Sequence, residues 1–500
     1  MGIANSTSIF KGAIITVSMR WTDRLIGFVS TLLLARLLIP EDFGIIAMAS
    51  LVIGLVDVFL ALGVNVALIQ NRNPTSVHYD TAWTLRLIQT TLAALIVCLT
   101  APQAADYFHD PRIGPVLFAM AFSLWLTGLE NIGVITFQKE MRFGLDFYFT
   151  FLKRIVGFGV TILLAWMLNS YWALVCGTIA SRAFGALLSY RMSPMRPRFS
   201  FAKIREIFSV SQWMLINGIG VYLNRNLHKI IVGRRTNATV MGGYTLADEI
   251  SAMPSTELLA PLNRVLFPAF VEAKHDLTKL KQLFLLAQGV QSLLGIAMGV
   301  GLALVVHEVV LILLGEKWLF IAPFVQLLAL ANVAEAIATS GGYILITLGK
   351  SRNVAFLNWI QLSFFAIAAL FMLPTSDVLQ IAWLRMIAVL LGLFLSIWIL
   401  IHTLSNLRLN EILSVMVRPL IGAAVMAIVV IFVEKEVIFS TPIMLIIKIV
   451  VGIFIYSSAI ILMWLAIGKP KGAESYLLDK LFRVLQHRKW SEKFSHERRI

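Results

Sequence analysis

Apolar residues fall in long runs that carry no formal charge. Such runs lie between Lys281 and Glu308, Arg352 and Asp377, Arg385 and Arg408, and Lys448 and Lys469. Each is long enough for a helix to cross a bilayer, which takes about 20 residues. Extending the reading along the chain predicts fourteen spans: 12–36, 43–63, 82–101, 114–135, 147–167, 170–189, 208–232, 240–262, 283–306, 320–347, 353–373, 378–401, 415–433 and 441–467. The pair either side of Asn169-Ser170-Tyr171 is divided only by that short polar break.

Composition agrees. Of 500 residues, 59% are apolar and 14% charged, and mean hydropathy is +0.84. Soluble domains hold about 45–50% and about 25% respectively. A soluble enzyme, a disordered chain and a fibre are excluded, and an all-α polytopic membrane protein is expected. Cys98 and Cys176 both lie in apolar segments, so no disulfide framework is implied. The first apolar stretch carries Arg20, Asp23 and Arg24 and reads as a retained span rather than a cleaved leader.

The net charge of +15 changes the picture once the loops are sorted by side. With the N-terminus inside, inward segments hold 28 of the 42 Lys and Arg, and outward loops hold 6. That bias places both termini in the cytoplasm and explains the positive charge without nucleic acid. Arg234 and Arg235 fall on the outward side against the trend.

The longest inward loop, 190–206, carries five basic residues and two prolines. It separates an N-lobe (1–200, six spans) from a C-lobe (201–405, six spans). The even count predicts two parallel repeats about an axis along the membrane normal. Short matches support this: Ser18-Met19-Arg20-Trp21 with Ser211-Gln212-Trp213, and Phe43-Gly44 with Gly242-Gly243-Tyr244. Residues 406–467 add two spans. The tail, 468–500, is basic with helically spaced apolar residues, and is expected to lie as an amphipathic helix on inner-membrane lipid.

Ionisable residues inside spans carry the candidate chemistry. Each costs roughly 2.5–3.5 kcal/mol at a helix centre, so most must face a bundle interior, a wet cavity or the headgroups. Arg20 and Arg24 share a helix face, and Arg225 and Lys229 repeat the i,i+4 spacing on the first helix of the second lobe. One reading is a cationic cavity between lobes that binds a phosphate-bearing substrate, arginine being suited to it through paired donors. The other is ion pairing with Asp57, Glu130, Asp248 or Glu249 for structure alone. The same four acids are candidates for a coupling ion, H+ or Na+. Arg182 and Lys448 read as packing or interface groups, and Glu257 and Glu335 as weaker candidates. Pro254 and Gly341-Gly342 are possible helix breaks.

No GxxxxGK[ST] loop, HExxH motif or Cys/His cluster occurs, so no ATPase, metal centre or other cofactor is expected. No outward loop offers room for a catalytic domain. Transport by conformational change is expected, not enzymatic catalysis.

Several segments carry a resemblance. They are residues 32–70, LLLARLLIPEDFGIIAMASLVIGLVDVFLALGVNVALIQ; Asp80-Thr81-Ala82-Trp83; Arg264-Val265-Leu266-Phe267-Pro268-Ala269-Phe270; Leu314-Gly315-Glu316-Lys317-Trp318 with Ala322-Pro323; and Gly349-Lys350-Ser351-Arg352. In this order they resemble bacterial polysaccharide flippases of the Wzx type, in the colanic-acid and teichuronic-acid exporter-like branch. The resemblance implies the multidrug/oligosaccharidyl-lipid/polysaccharide exporter fold and an inner-membrane location. It implies flipping of undecaprenyl-diphosphate-linked oligosaccharide by alternating access, alongside a polymerase and chain-length or export proteins. The alternatives are a drug/cation antiporter on the same fold and a membrane-embedded polymerase.

Overall fold

The computed structural model describes residues 22, 26–60, 64–71, 73–208, 211–372, 377–404, 406–436, 439–470 and 472–480. Arg20 and Arg24, and residues 481–500 of the basic tail, lie outside them. Among the described residues every regular element is helical.

The chain divides into two compact units, Met1–Thr245 and Leu246–Ile500. Unit 1 holds α1 (Ile26–Leu37), α2 (Pro40–Leu60), α3 (Val64–Gln70), α4 (Ser76–Phe108), α5 (Ile113–Gly128), α6 (Ile135–Lys139), α7 (Phe143–Leu168), α8 (Trp172–Met192), α9 (Ile204–Phe208) and α10 (Ser211–Arg235). The boundary falls within α11 (Ala238–Pro254). Unit 2 holds α12 (Ala260–Glu272), α13 (Leu277–Leu313), α14 (Ala322–Thr347), α15 (Ser351–Met372), α16 (Val378–Thr403), α17 (Leu409–Glu436) and α18 (Thr441–Ala466).

Among the described residues nine helices are long and apolar enough to cross a membrane: α4, α7, α8, α13, α14 with the 3-10 turn before it, and α15 to α18. A tenth is broken: α5 and α6 meet at 65°. The other four expected spans overlap α1, α2, α10 and the α11–α12 pair; α1 is short, α11 and α12 are each short, and α10 by itself carries Arg225, Lys229, Arg234 and Arg235. The protein is a multi-pass membrane protein, and its exterior shows it. Phe371, Leu187 and Trp166 are 83%, 74% and 70% exposed, as side chains that lipid would cover are.

In unit 1 small residues bring helices together. Asn169 caps α7 in the left-handed region (φ 44°, ψ 47°), its N–H donating to the Ala165 carbonyl, and α8 starts three residues later. The polar break read from sequence is thus a tight αα turn. α7 and α8 then pack over Gly157 and Gly177; a methyl on Gly177 would overlap Thr161 Oγ1. α10 lies on α2, where the Tyr222 hydroxyl donates to the Leu51 carbonyl at 2.6 Å and crosses beside Gly54.

In unit 2 α13 is the centre, packed by α14, α17 and α18. Phe284 of α13, Ile344 of α14, Leu400 of α16 and Ile412 of α17 are among the buried residues of the core of this unit. Pro254 ends α11, and a π turn, Ser255–Leu259, follows before α12. That agrees with a proline-induced break. Gly341-Gly342 does otherwise: α14 runs through both unbroken. Gly341 instead leaves room for Ser396 and Leu400 of α16, whose side chains would stand under 3 Å from an added methyl.

Candidate functional site

The break between α5 and α6 places an acid at an elbow. Glu130 stands at its apex and is buried. Asn131 turns the elbow: its side-chain oxygen accepts from Gly133 N–H, and its own N–H donates to Ser189 Oγ at 2.8 Å.

Two cations reach Glu130 from different helices. Arg86 of α4 donates from Nη2 to Oε2 at 2.8 Å, and Lys153 of α7 donates from Nζ to Oε1 at 2.5 Å. Lys153 passes α8 where Gly185 leaves space; a methyl there would meet its Cε at 2.5 Å. It also lies 4.8 Å from the Phe149 ring centroid. A third cation, Arg182 of α8, donates to the Thr127 hydroxyl. Its charge interacts with those of Asp57, Glu130 and Arg86. Three cations and two carboxylates therefore share one part of unit 1, and one of those carboxylates, Asp57, is exposed. Glu130 alone is held by two cations. The surplus is positive, in segments where an isolated charge is costly. The arrangement suits an anion with several oxygens.

Sequence reading singles out Glu130 and Asp57 and offers both as ion-pair partners for arginines within spans, but it does not assign Arg86 and Lys153 to Glu130. Arg182 reads as packing, and Lys153 counts with an inward segment because it stands near a span end. Its partner is 23 residues away and Arg86's is 44 away; a charge tally along the chain carries no sign of such pairing. Arg225 is exposed on α10, with Lys229 half-buried one turn on. The Arg225 carbonyl accepts from His228 Nε2 at 2.9 Å, which fixes the tautomer so that His228 Nδ1 accepts from the Tyr244 hydroxyl, also at 2.9 Å. On α11, Asp248 is half-buried and Glu249 exposed.

Three of the polar clusters among the described residues of unit 2 centre on a basic side chain of a span. In one, Arg385 of α16 donates to Asn332 at 3.3 Å and Glu335 at 3.4 Å, and Asn332 donates to Ser251 at 2.8 Å. In the second, Lys448 of α18 lies 2.5 Å from Glu308 of α13 and 3.0 Å from Glu434 of α17. The third joins Arg418 of α17 to Glu474 at 2.9 Å, tying the helical segment 473–480 to the unit. Among the described residues no group of three or more His, Cys, Asp or Glu is placed to hold a metal ion.

The chain is similar to the lipopolysaccharide biosynthesis protein WzxC of Escherichia coli (strain K12), at 26% identity over 80% of this chain and 79% of that protein. It is similar to the teichuronic acid biosynthesis protein TuaB of Bacillus subtilis (strain 168), at 21% over 75% and 78%. Its fold is that of the lipid II flippase MurJ in an inward closed conformation, with a TM-score of 0.74 at 10% identity, covering 91% of this chain and 99% of that one. An inward-facing multidrug transporter of the MATE family follows at a TM-score of 0.59 and 14% identity, over 79% and 99%. The family described as "Polysaccharide biosynthesis protein" matches residues 33–323, more than half of the sequence, and the chain belongs to that family.

Proposed function

We propose that this protein is a Wzx-type flippase that moves undecaprenyl-diphosphate-linked oligosaccharide repeat units across the bacterial inner membrane, for exopolysaccharide, capsule or lipopolysaccharide. It is a transporter and not an enzyme. The observation that carries the reading is the cation surplus around Glu130, built by Arg86, Lys153 and Arg182 inside a helical bundle. A diphosphate offers oxygens to several guanidinium and ammonium groups at once. Arg20, Arg24, Arg225 and Lys229 are proposed to supply further cationic contacts. An antiporter for cationic drugs needs the opposite sign of charge.

Coupling to H+ or Na+ is part of the proposal, with Asp57, Glu130, Asp248 and Glu249 as its acids. A proton on Glu130 would release Arg86 and Lys153 toward an incoming diphosphate. The two six-span repeats, the cytoplasmic termini, and work beside a polysaccharide polymerase and chain-length or export proteins complete it.

The test removes the gene and measures two pools. Loss of surface polysaccharide with single lipid-linked units accumulating on the cytoplasmic leaflet is expected. Single units already delivered outside would move the block to polymerisation and overturn the reading.

A further inference from the structure

Residues 193–203, between α8 and α9, run along the first turns of α4. The fit is geometric. Two extended residues advance about 6.7 Å and four helical residues about 6.0 Å, so alternate amides of this segment meet side chains one helical turn apart. Arg198 N–H donates to Asp80 Oδ1 at 2.9 Å and Ser200 N–H donates to Thr84 Oγ1 at 3.0 Å. Lys203 N–H reaches Thr81 Oγ1 at 3.4 Å, and the Phe199 ring lies 5.2 Å from that of Trp83. Upstream, Asn131 Nδ2 donates to the Met195 carbonyl at 2.7 Å; downstream, His78 Nε2 pairs with Glu206 at 3.0 Å. The Asp80-Thr81-Ala82-Trp83 run therefore seats this strap, which gives the motif a physical role.

With the backbone pinned, the exposed side chains define a surface. Arg191, Arg196, Arg198 and Arg205 are exposed, and among the described residues none of them forms an ion pair. Arg196 is steadied by the Ser193 and Met195 carbonyls at 2.9 and 2.8 Å and lies 5.9 Å from the Tyr190 ring. Lys203 is neutralised by Glu206 at 2.6 Å. Phe199 and Phe201 are 71% and 57% exposed. α4 has 33 residues, about 50 Å of helix against a hydrocarbon core of about 30 Å. Its first turns, and the strap on them, belong at headgroup depth.

We propose that the strap, residues 191–205, is a docking strip for anionic phospholipid headgroups of the leaflet it faces, with the α4 motif as its seat. Guanidinium groups take phosphate through paired donors, the phenylalanines enter the interface, and a pre-pinned backbone lowers the ordering cost.

The test is amide hydrogen exchange of the full chain in nanodiscs of phosphatidylcholine alone, or with phosphatidylglycerol added. Exchange across 194–206 should slow in the anionic discs, on the order of fivefold for each arginine engaged. The change should vanish in R191Q/R196Q/R198Q/R205Q, persist in the corresponding four-lysine variant, and persist in K350Q/R352Q. D80N/T84V should speed exchange of the strap in both lipids. Equal exchange in both lipids, or an effect that survives the four-glutamine variant, would overturn the proposal.

Discussion

Gly242 of α11 meets Gly44 of α2 backbone to backbone: a methyl on Gly242 would stand 2.7 Å from the Gly44 nitrogen and 2.0 Å from the Pro40 carbonyl oxygen. The reverse holds too, since a methyl on Gly44 would lie 1.8 Å from the Ala238 carbonyl oxygen. Both contacts are with main chain, which cannot rotate away. Gly242→Ala should therefore cost about 3 kcal/mol or more, at or beyond the usual range for overpacking. The check is thermal unfolding in detergent, with Gly342→Ala as the control, because its added methyl meets nothing within 4 Å.

The Glu130 cluster separates folding from transport. Lys153→Gln and Arg182→Gln remove cations that the substrate is proposed to use. Surface polysaccharide should fall at least tenfold in a complementation assay, the order expected for losing one charged contact of roughly 1.5–3 kcal/mol, while protein in the membrane stays within a factor of two. Glu130→Ala is the opposite case. It leaves Arg86 and Lys153 facing each other, and should lower the amount of folded protein itself.

Lys448 is 2% exposed and neutralised by Glu308 and Glu434. Removing one partner from a buried pair costs about 3–5 kcal/mol, whereas removing the charges together can be near neutral. Lys448→Met should reduce thermal stability sharply. Lys448→Met with Glu308→Gln should recover most of it, since Glu434 is half exposed and can be hydrated.

One loop outside the membrane carries a pH signature. Asp110, between α4 and α5, accepts from Arg112 Nε and Nη2 at 3.0 and 2.8 Å. These hydrogen bonds hold its carboxyl below the ordinary 3.8, against a smaller opposing effect of burial. A depressed folded value stabilises above the unfolded one and is lost as pH falls through the folded value. Asp110→Asn should then cost on the order of 1 kcal/mol at neutral pH, Arg112 being partly screened by solvent. The gap between wild-type and variant melting curves should close below about pH 4.

How much of this is legible in the sequence depends on the range of each interaction. Helix positions depend on local hydropathy, and among the described residues most of the expected spans overlap one helix, while 114–135 and 240–262 are each broken, at the elbow and at the π turn. The Asn169 turn is local as well. Repeat-like glycines are legible as a match between Phe43-Gly44 and Gly242-Gly243, but a match states similarity and says nothing of contact; the structure packs the two against each other. The Glu130 cluster is half visible: its acid stands out as a charge inside a span, while Lys153 looks like an ordinary basic residue at a span end. Only the elbow at residues 129–131, which turns that acid toward α4 and α7, makes them partners. Gly341-Gly342 misleads because glycine marks both helix breaks and close packing, and composition alone cannot tell which.

The elbow also bears on how the chain is built. Its bent backbone leaves the Asn131 amide without a helical acceptor, and the group that takes it, Ser189 Oγ, lies 58 residues downstream. The Met195 carbonyl that receives the Asn131 side chain lies 64 residues on. As the ribosome releases α5 into the bilayer, the Asn131 N–H and its side-chain Nδ2 have no mate until α7 and α8 have both followed. Biosynthesis of the first unit thus has a built-in order: its fourth span can settle only after its sixth has arrived, and chains arrested between them would present an unfinished corner to quality-control proteases.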